Sequence, residues 1–435
     1  MVLGADLVKI RAGSHLTRSR NRLIEHAAVR SGERPGRAVG GRTLSIFMEA
    51  RFGTRASGEW AAITLNGSPA LWDRYLSDVD RVLAVARTDR RPGTAEVELP
   101  DRVDVVPLPY YVGVGGLVRA LPGLTVSLWR AVAAAERIVL RAPGAVSLLA
   151  AVVCRLRRRR YAVELIGDPV EVLRCGALGA TGRRLAAPAG ASLRWIIRGA
   201  TASVFVTRRS LQRRYPPRPG TLSAGIASAC LEPEAFAAGG RRWPAGPFRV
   251  VTIGSQENLY KGHDVLLRAL RVLVDAEVDV VATVVGGGRA HDGIVATARS
   301  LGLADRVTFT GSVNDRGRIM EILDSAALFA LPSRTEGLPR ALVEAMARAL
   351  PAVGSDIGGI PELLDPSCLV PVGDHEALAA VMAGLLGDRE AWEAQSLRNL
   401  ELAREYSAKV LNEQFAAWLD KVPPARLRAR SQGAA

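Results

Sequence analysis

The sequence predicts an α/β protein of two doubly wound domains, and three observations carry that prediction. Its 435 residues exceed one ordinary core and suit two α/β domains with connecting pieces. Strand-like and helix-like stretches alternate from residue 43 onward, as parallel sheets require. The alternation breaks once, over residues 233–247, into Pro, Gly, Ala and Arg. With 48% hydrophobic and 23% charged residues, the chain has the balance of a folded globular protein.

In chain order, residues 1–42 carry nine basic and three acidic side chains and read as a poorly ordered basic arm. Thr43–Met48 is expected as the first strand, followed by a polar loop over Ala50–Glu59 and a helix over Ala61–Leu76 interrupted near Gly67–Pro69. Strands follow at Arg81–Arg87, Val103–Pro107 and Ile138–Leu140, then a helix at Ala145–Leu156. Tyr161–Ile166 and Ala202–Thr207 read as strands, with helices at Leu193–Arg198 and Arg209–Arg214. The second half is cleaner. Phe248–Ile253 is predominantly apolar, as a strand buried on both faces would be. Strands Val280–Val285, Arg306–Thr310, Ala327–Leu331 and Pro351–Val353 alternate with helices His263–Val274, His291–Leu301, Arg316–Ser325 and Leu338–Ala349. Residues 374–420 are mostly helical, with Leu378, Val381, Met382 and Leu385 on one face. The expected organisation is an arm (1–42), an N-terminal domain (43–235), a linker (236–247) and a C-terminal domain (248–404). A C-terminal helix (405–422) returns to the N-terminal domain, and a disordered tail (423–435) ends the chain.

Four cysteines lie far apart, with no CxxC pair and no histidine at zinc spacing, which points to a reducing compartment. No run approaches eighteen apolar residues, the longest being Ala145–Cys154, and no signal-peptide core opens the chain, so a cytoplasmic protein is expected. The formal charge is +15. Between Glu171 and Glu232 there are ten arginines and no acidic residue, and Arg157–Arg160 add another cluster. Such a field attracts polyanions. Without zinc fingers, RNA-binding signatures or interleaved aromatics, nucleic acid is not expected, and the inner face of an anionic membrane is the better partner. Arg183, Arg184, Arg194 and Arg198 around Trp195, Ile196 and Ile197 suit an interfacial helix, and a core-facing Trp195 suits the same pattern.

Open α/β sheets bind ligands at the carboxyl ends of their strands, and three loops there carry candidate chemistry. The first, Gly254 to Gly262, contains Lys261, one of only four lysines among 58 basic residues. A lysine beside a helix N-terminus can reach a phosphate as a mobile point charge, although the GK[ST] ending of a P-loop is absent. The second, Pro332 to Pro339, places Glu336 just before a helix that holds Glu344, with Gly337 admitting close backbone approach. The third, Ser355 to Glu362, brings Gly358 and Gly359 to a strand end.

EGLPRALVEAMA followed by LPAVGSDIGGIPELL resembles the signature of retaining GT-B glycosyltransferases of the family-4 group, also called group 1. The likeness runs in order from about Phe248 to Leu364 and includes GSQENLYKG, VVGGG and RVTFTGSV; VELIGDPVEVL and VFVTRRSLQRRYPP are similar to stretches of bacterial members. The resemblance implies a GT-B fold, two Rossmann-like domains facing across a cleft, with acceptor bound by the first and donor by the second. It implies a retaining enzyme that moves a sugar from a nucleotide diphosphate to an acceptor hydroxyl in polysaccharide, glycolipid or glycoconjugate synthesis. The acceptor could then be lipid-linked. Lys261 would bind the pyrophosphate and Glu336 the transferred sugar, the two forming the catalytic pair. Glu344 would hold the ribose hydroxyls, the amides of Gly337 and Leu338 the phosphate, and backbone near Val313 the base, with Gly254 and Ser255 completing the donor site. Ser255 stands where many members carry arginine. On the acceptor side the family's glycine-rich loop is matched loosely by Gly53 and Gly58, and Asp168 could orient the acceptor hydroxyl or simply cap a turn. No cofactor or donor metal is implied, and Asp78-Val79-Asp80 is not read as a metal motif. A nucleotide-sugar hydrolase or epimerase, a phosphorylase, or a catalytically silent scaffold of the same architecture would share these features.

Overall fold

The computed structural model describes residues 41–55, 57–63, 69–92, 95, 97–174 and 179–426. The readings of residues 1–40 as an arm, of 427–435 as tail, and of the break near Gly67 lie outside the described residues. The chain divides into two compact units, one of Met1–Val139, Val152–Arg160 and Pro424–Ala435, the other of Leu140–Ala151 and Tyr161–Pro423.

In the first unit β1 (Thr43–Thr54) runs well past Met48 and turns back antiparallel as β2 (Trp60–Ala62). The first half of the expected polar loop over 50–59 is therefore strand, and Ala61 lies in a strand instead of a helix. Phe52, Ala61 and Ala62 are buried, which favours sheet over the local alanine preference for helix. Helix α1 (Pro69–Leu76) buries Trp72 beside Phe52, ring centroids 6.3 Å apart. β3 (Arg81–Pro92) pairs parallel with β1 and with β5 (Val103–Leu108), while β4 (Val97–Glu98) pairs antiparallel with β2. Asp78 and Asp80 hold the start of β1, Asp80 accepting from the Arg42 N–H (2.7 Å) and Asp78 pairing with its guanidinium (3.1 Å). The 22-residue helix α2 (Gly113–Ala134) buries Leu124, Leu128, Ala131 and Val132. Among the described residues it alone is long and apolar enough to cross a membrane by length and composition, correcting the expectation of no such segment. The chain end also belongs here: the Arg160 N–H donates to the Ala425 carbonyl and the Ala425 N–H to that of Glu136.

Residues of β6 (Arg137–Ala142) and α3 (Ala145–Leu156) contribute to both units. The second unit continues with β7 (Ala162–Leu165), α4 (Pro169–Arg174), α5 (Gly179–Gly199), β8 (Ala202–Phe205), α6 (Ser210–Arg214) and β9 (Leu222–Gly225); β7, β8 and β9 run parallel. α5 packs Ile196 and Ile197 inward, both buried, so these two residues are core and do not face a membrane. The 236–247 linker is pinned: Arg241 donates to the carbonyls of Leu323, Ala326 and Arg348, and its burial lowers its pKa to about 10.

The six-stranded sheet of this unit comprises β10 (Phe248–Ile253), β11 (Val280–Val285), β12 (Val307–Gly311), β13 (Leu328–Leu331), β14 (Ala352–Ser355) and β15 (Leu369–Val370). All pairings are parallel, in the order β12-β11-β10-β13-β14-β15. That is the dinucleotide-fold order, whose switch point lies between β10 and β13. The crossovers are α7 (His263–Asp275), α8 (His291–Ser300), α9 (Arg316–Asp324) and α10 (Arg340–Ala347). Helices α11 (His375–Gly387), α12 (Arg389–Arg404) and α13 (Ala408–Asp420) follow. The segment before α13 docks on Leu231, whose N–H donates to the Tyr406 carbonyl while the Ala408 N–H donates back.

Candidate active site

The switch point sets where chemistry can happen, because the loops leaving β10 and β13 diverge from adjacent strand ends. The β10 loop ends in a single tight turn, Leu259–Lys261, closed by Gly262 at φ 70. A Cβ at Gly262 would stand 1.9 Å from the Pro332 carbonyl oxygen, so glycine is required for the two loops to touch. The stem of Lys261 lies along Gly254, where a Cβ would come within 3.0 Å of its Cγ. Its ammonium reaches across to Glu336, Nζ to Oε1 2.6 Å, and the same oxygen accepts from the Ser333 hydroxyl at 2.7 Å. Lys261 is 18% exposed and Glu336 6%, so this pair is poorly hydrated and its charges act over distance more strongly than surface charges do.

Arg334 fastens the two loops behind the pair. Its N–H donates to the Tyr260 carbonyl, and its guanidinium makes bidentate bonds to Asp264 at 2.7 and 2.8 Å. Burial by itself would raise the Asp264 pKa, but the bonds and charge of Arg334 outweigh it and hold the carboxyl below the usual range. Leu338 packs on the third loop, its Cα 3.2 Å from where a Gly359 Cβ would be. That loop closes with Gly359 N–H donating to the Gly337 carbonyl at 2.7 Å, while Gly358 (φ 59) leaves room where a Cβ would meet the Glu336 carbonyl oxygen at 2.1 Å. The N–H groups of Gly337 and Leu338 make no hydrogen bond among the described residues. Gly358→Ala is therefore expected to cost about 2–5 kcal/mol in urea denaturation, from backbone strain plus overpacking. A loss below ~1 kcal/mol would mean the loops separate freely.

Other predicted residues stand apart. Glu344 lies on α10, paired with Arg340 one turn earlier (2.8 Å). Val313 follows β12 in the stretch leading to α9. The Ser255 hydroxyl accepts from the Glu257 N–H at 3.3 Å, within its own turn. Gly58 (φ 86) sits in the tight turn joining β1 and β2, its N–H donating to the Arg55 carbonyl. Asp168 is buried: its Oδ1 accepts from the Val170 N–H (2.8 Å) and the Tyr215 hydroxyl (2.6 Å), while its Oδ2 has no hydrogen bond among the described residues and is balanced by the Arg214 charge (2.8 Å). Arg214 also holds Glu171, whose pKa is raised by burial and by the neighbouring Asp168 charge.

Several residues escaped the sequence reading. The Glu362 carboxylate accepts from the N–H groups of Arg208, Arg209 and Ser210 at 2.5, 2.9 and 2.7 Å. The Thr335 hydroxyl donates to Glu171 at 3.1 Å, and Gly337 lies near the Ile166 carbonyl. These contacts tie the second and third loops to the carboxyl ends of β7 and β8. Only GGIPE hinted at Glu362; its partners some 150 residues away had no sequence signal. His263, the first residue of α7, is buried with neither ring nitrogen hydrogen-bonded. Burial, and secondarily the Lys261 charge, lower its pKa to about 4. Because the unfolded chain takes up that proton first, stability should be full above pH ~6.5 and decline as pH falls through about 4. The loss is up to ~3 kcal/mol. His263→Gln should flatten the denaturation midpoint over that window, and an unchanged slope would rule the residue out as its source.

Residues 247–388 match the family described as glycosyl transferases group 1. These residues form a group 1 glycosyltransferase domain within the C-terminal half of the chain. This glycosyltransferase is 22% identical over 373 residues to protein CapJ of Staphylococcus aureus, a match covering 80% of the chain and 92% of CapJ. It is 30% identical over 202 residues to the amylovoran biosynthesis glycosyltransferase AmsK of Erwinia amylovora, covering 44% of the chain and 49% of AmsK. Its fold is GT-B. HepE of Anabaena, solved with UDP and glucose, superposes with a TM-score of 0.60 at 18% identity, over 88% of this chain and all of that one.

Proposed function

We propose that this glycosyltransferase moves a sugar from a nucleotide diphosphate to an acceptor hydroxyl with retention of anomeric configuration. We place its product in cell-surface polysaccharide, glycolipid or glycoconjugate synthesis. The carrying observation is the Lys261–Glu336 pair at the switch point, beside the uncommitted N–H groups of Gly337 and Leu338. When the bond from anomeric carbon to phosphate breaks, negative charge grows on the pyrophosphate. A lysine and amide dipoles already in place lower that barrier without reorganisation. The acceptor attacks from the side the phosphate leaves, and the departing phosphate takes the proton. Glu336 holds the sugar hydroxyls and Glu344 the ribose; Gly254, Ser255 and the backbone at Val313 complete the donor site. Residues 43–235 supply the acceptor side, including Gly58, and Asp168 shapes it by anchoring α4 and Tyr215. No metal or cofactor takes part, so turnover should survive a chelator. The enzyme works in the cytoplasm at the inner membrane face, on an acceptor carried by lipid.

A thermal-shift screen against UDP-, GDP- and ADP-sugars tests the donor assignment. A cognate donor at about 100 times its dissociation constant should stabilise by ~2.7 kcal/mol. Stabilisation by none of them would overturn it. Release of free sugar from donor alone, unaffected by any acceptor, would reassign the site as a hydrolase.

A further inference from the structure

Helix α2 is anchored on one side only. Leu124, Leu128 and Val132 are fully buried, while Val118, Val126 and Trp129 are 59%, 50% and 42% exposed. At spacings of eight and eleven residues these three share the outward face. In the same unit the end of α3 adds Leu156, 69% exposed, and the Arg157 guanidinium lies over the Trp129 ring at 4.5 Å, bringing the two apolar patches together. The sequence that carries them is strongly basic. Between Asp104 and Glu164 there are nine arginines and a single acidic residue, Glu136. On α2 itself the exposed Arg119 and Arg130 both lie along one edge of the apolar stripe, and the helix carries no acidic residue.

We propose that this face docks on an anionic lipid bilayer, with α2 lying in the interface plane; the inference rests on, and locates, the membrane-held acceptor of the preceding reading. A valine and tryptophan stripe edged by arginines supplies both halves of interfacial binding, apolar insertion and attraction to acidic headgroups. A spanning helix fits less well, because the Leu124 face is committed to the protein and both arginines would enter hydrocarbon. A second copy of the chain fits poorly too, since it would bring two arginine fields together.

Flotation of the full chain with vesicles of phosphatidylcholine, with and without phosphatidylglycerol, tests the proposal. Binding is expected only to the acidic vesicles and should fade with salt. Arg119→Gln with Arg130→Gln should weaken it about 30-fold, roughly fivefold per charge removed. Val118→Asp should weaken it as well. The arginine pair is exposed and its replacement keeps the fold, so it remains informative even where Val118→Asp unfolds. No binding at low salt, or binding indifferent to both variants, overturns the proposal. Self-association abolished by these variants, without vesicle binding, overturns it in favour of a dimer face. Donor-induced thermal shifts are read on the same samples: their loss with flotation intact would sink the donor reading alone, and the reverse result would sink the docking face alone.

Discussion

Lys261→Ala should reduce turnover roughly 10²–10³-fold, the usual scale for removing one stabiliser of charge that develops in the transition state. The fold should persist, because Lys261 ends a loop and its stem packs on Gly254 instead of filling the core. The substitution also leaves Glu336 with the Ser333 hydroxyl as its remaining hydrogen-bond partner among the described residues. A buried carboxylate without its cation is unfavourable, so a modest loss of stability should accompany the kinetic defect. Arginine would not restore activity fully, since a planar fork cannot occupy the narrow track along Gly254 as an ammonium does. Near-normal turnover in a folded Lys261→Ala protein would remove the residue from the mechanism.

The two glutamates should separate in calorimetry. Glu344→Gln is expected to weaken the free nucleoside diphosphate and the nucleotide sugar alike. Glu336→Gln should weaken the nucleotide sugar about 10–100-fold, the scale of a lost charge-assisted hydrogen bond. It should spare the free diphosphate or bind it somewhat more tightly. The sign follows from the ion pair: without its carboxylate partner, the Lys261 ammonium presents its whole charge to a pyrophosphate. Equal losses for both ligands in both variants would mean that the roles are wrongly assigned.

The C-terminal sheet was legible because its strands are largely buried and read as short, predominantly apolar runs; Phe248–Ile253 and Val280–Val285 have the bounds the sequence predicts. The loop residues were legible as types at strand ends, and contacts of Lys261 with Gly254 and Glu336 join them. The first unit was harder. GVGGLVRALPGLTV carries four glycines and a proline, so local preference argues against the helix that Leu124, Leu128 and Val132 secure by burial. Ala61 misled in the opposite direction, its helical preference yielding to pairing with Gly53 across the hairpin. Glu362 and Arg334 act through partners distant in sequence, and no periodicity encodes such a pair.

The backbone contacts of Gly358 and Gly359 with residues 336–337 bear on redesign of this enzyme. Two loops that meet main chain to main chain cannot be exchanged separately. A segment grafted from a relative at 333–339 would meet an unmatched partner at 355–362, whatever its side chains. Altering donor choice by loop transfer should therefore succeed only when both segments come from the same parent, with Glu362 retained to seat them on Arg208–Ser210.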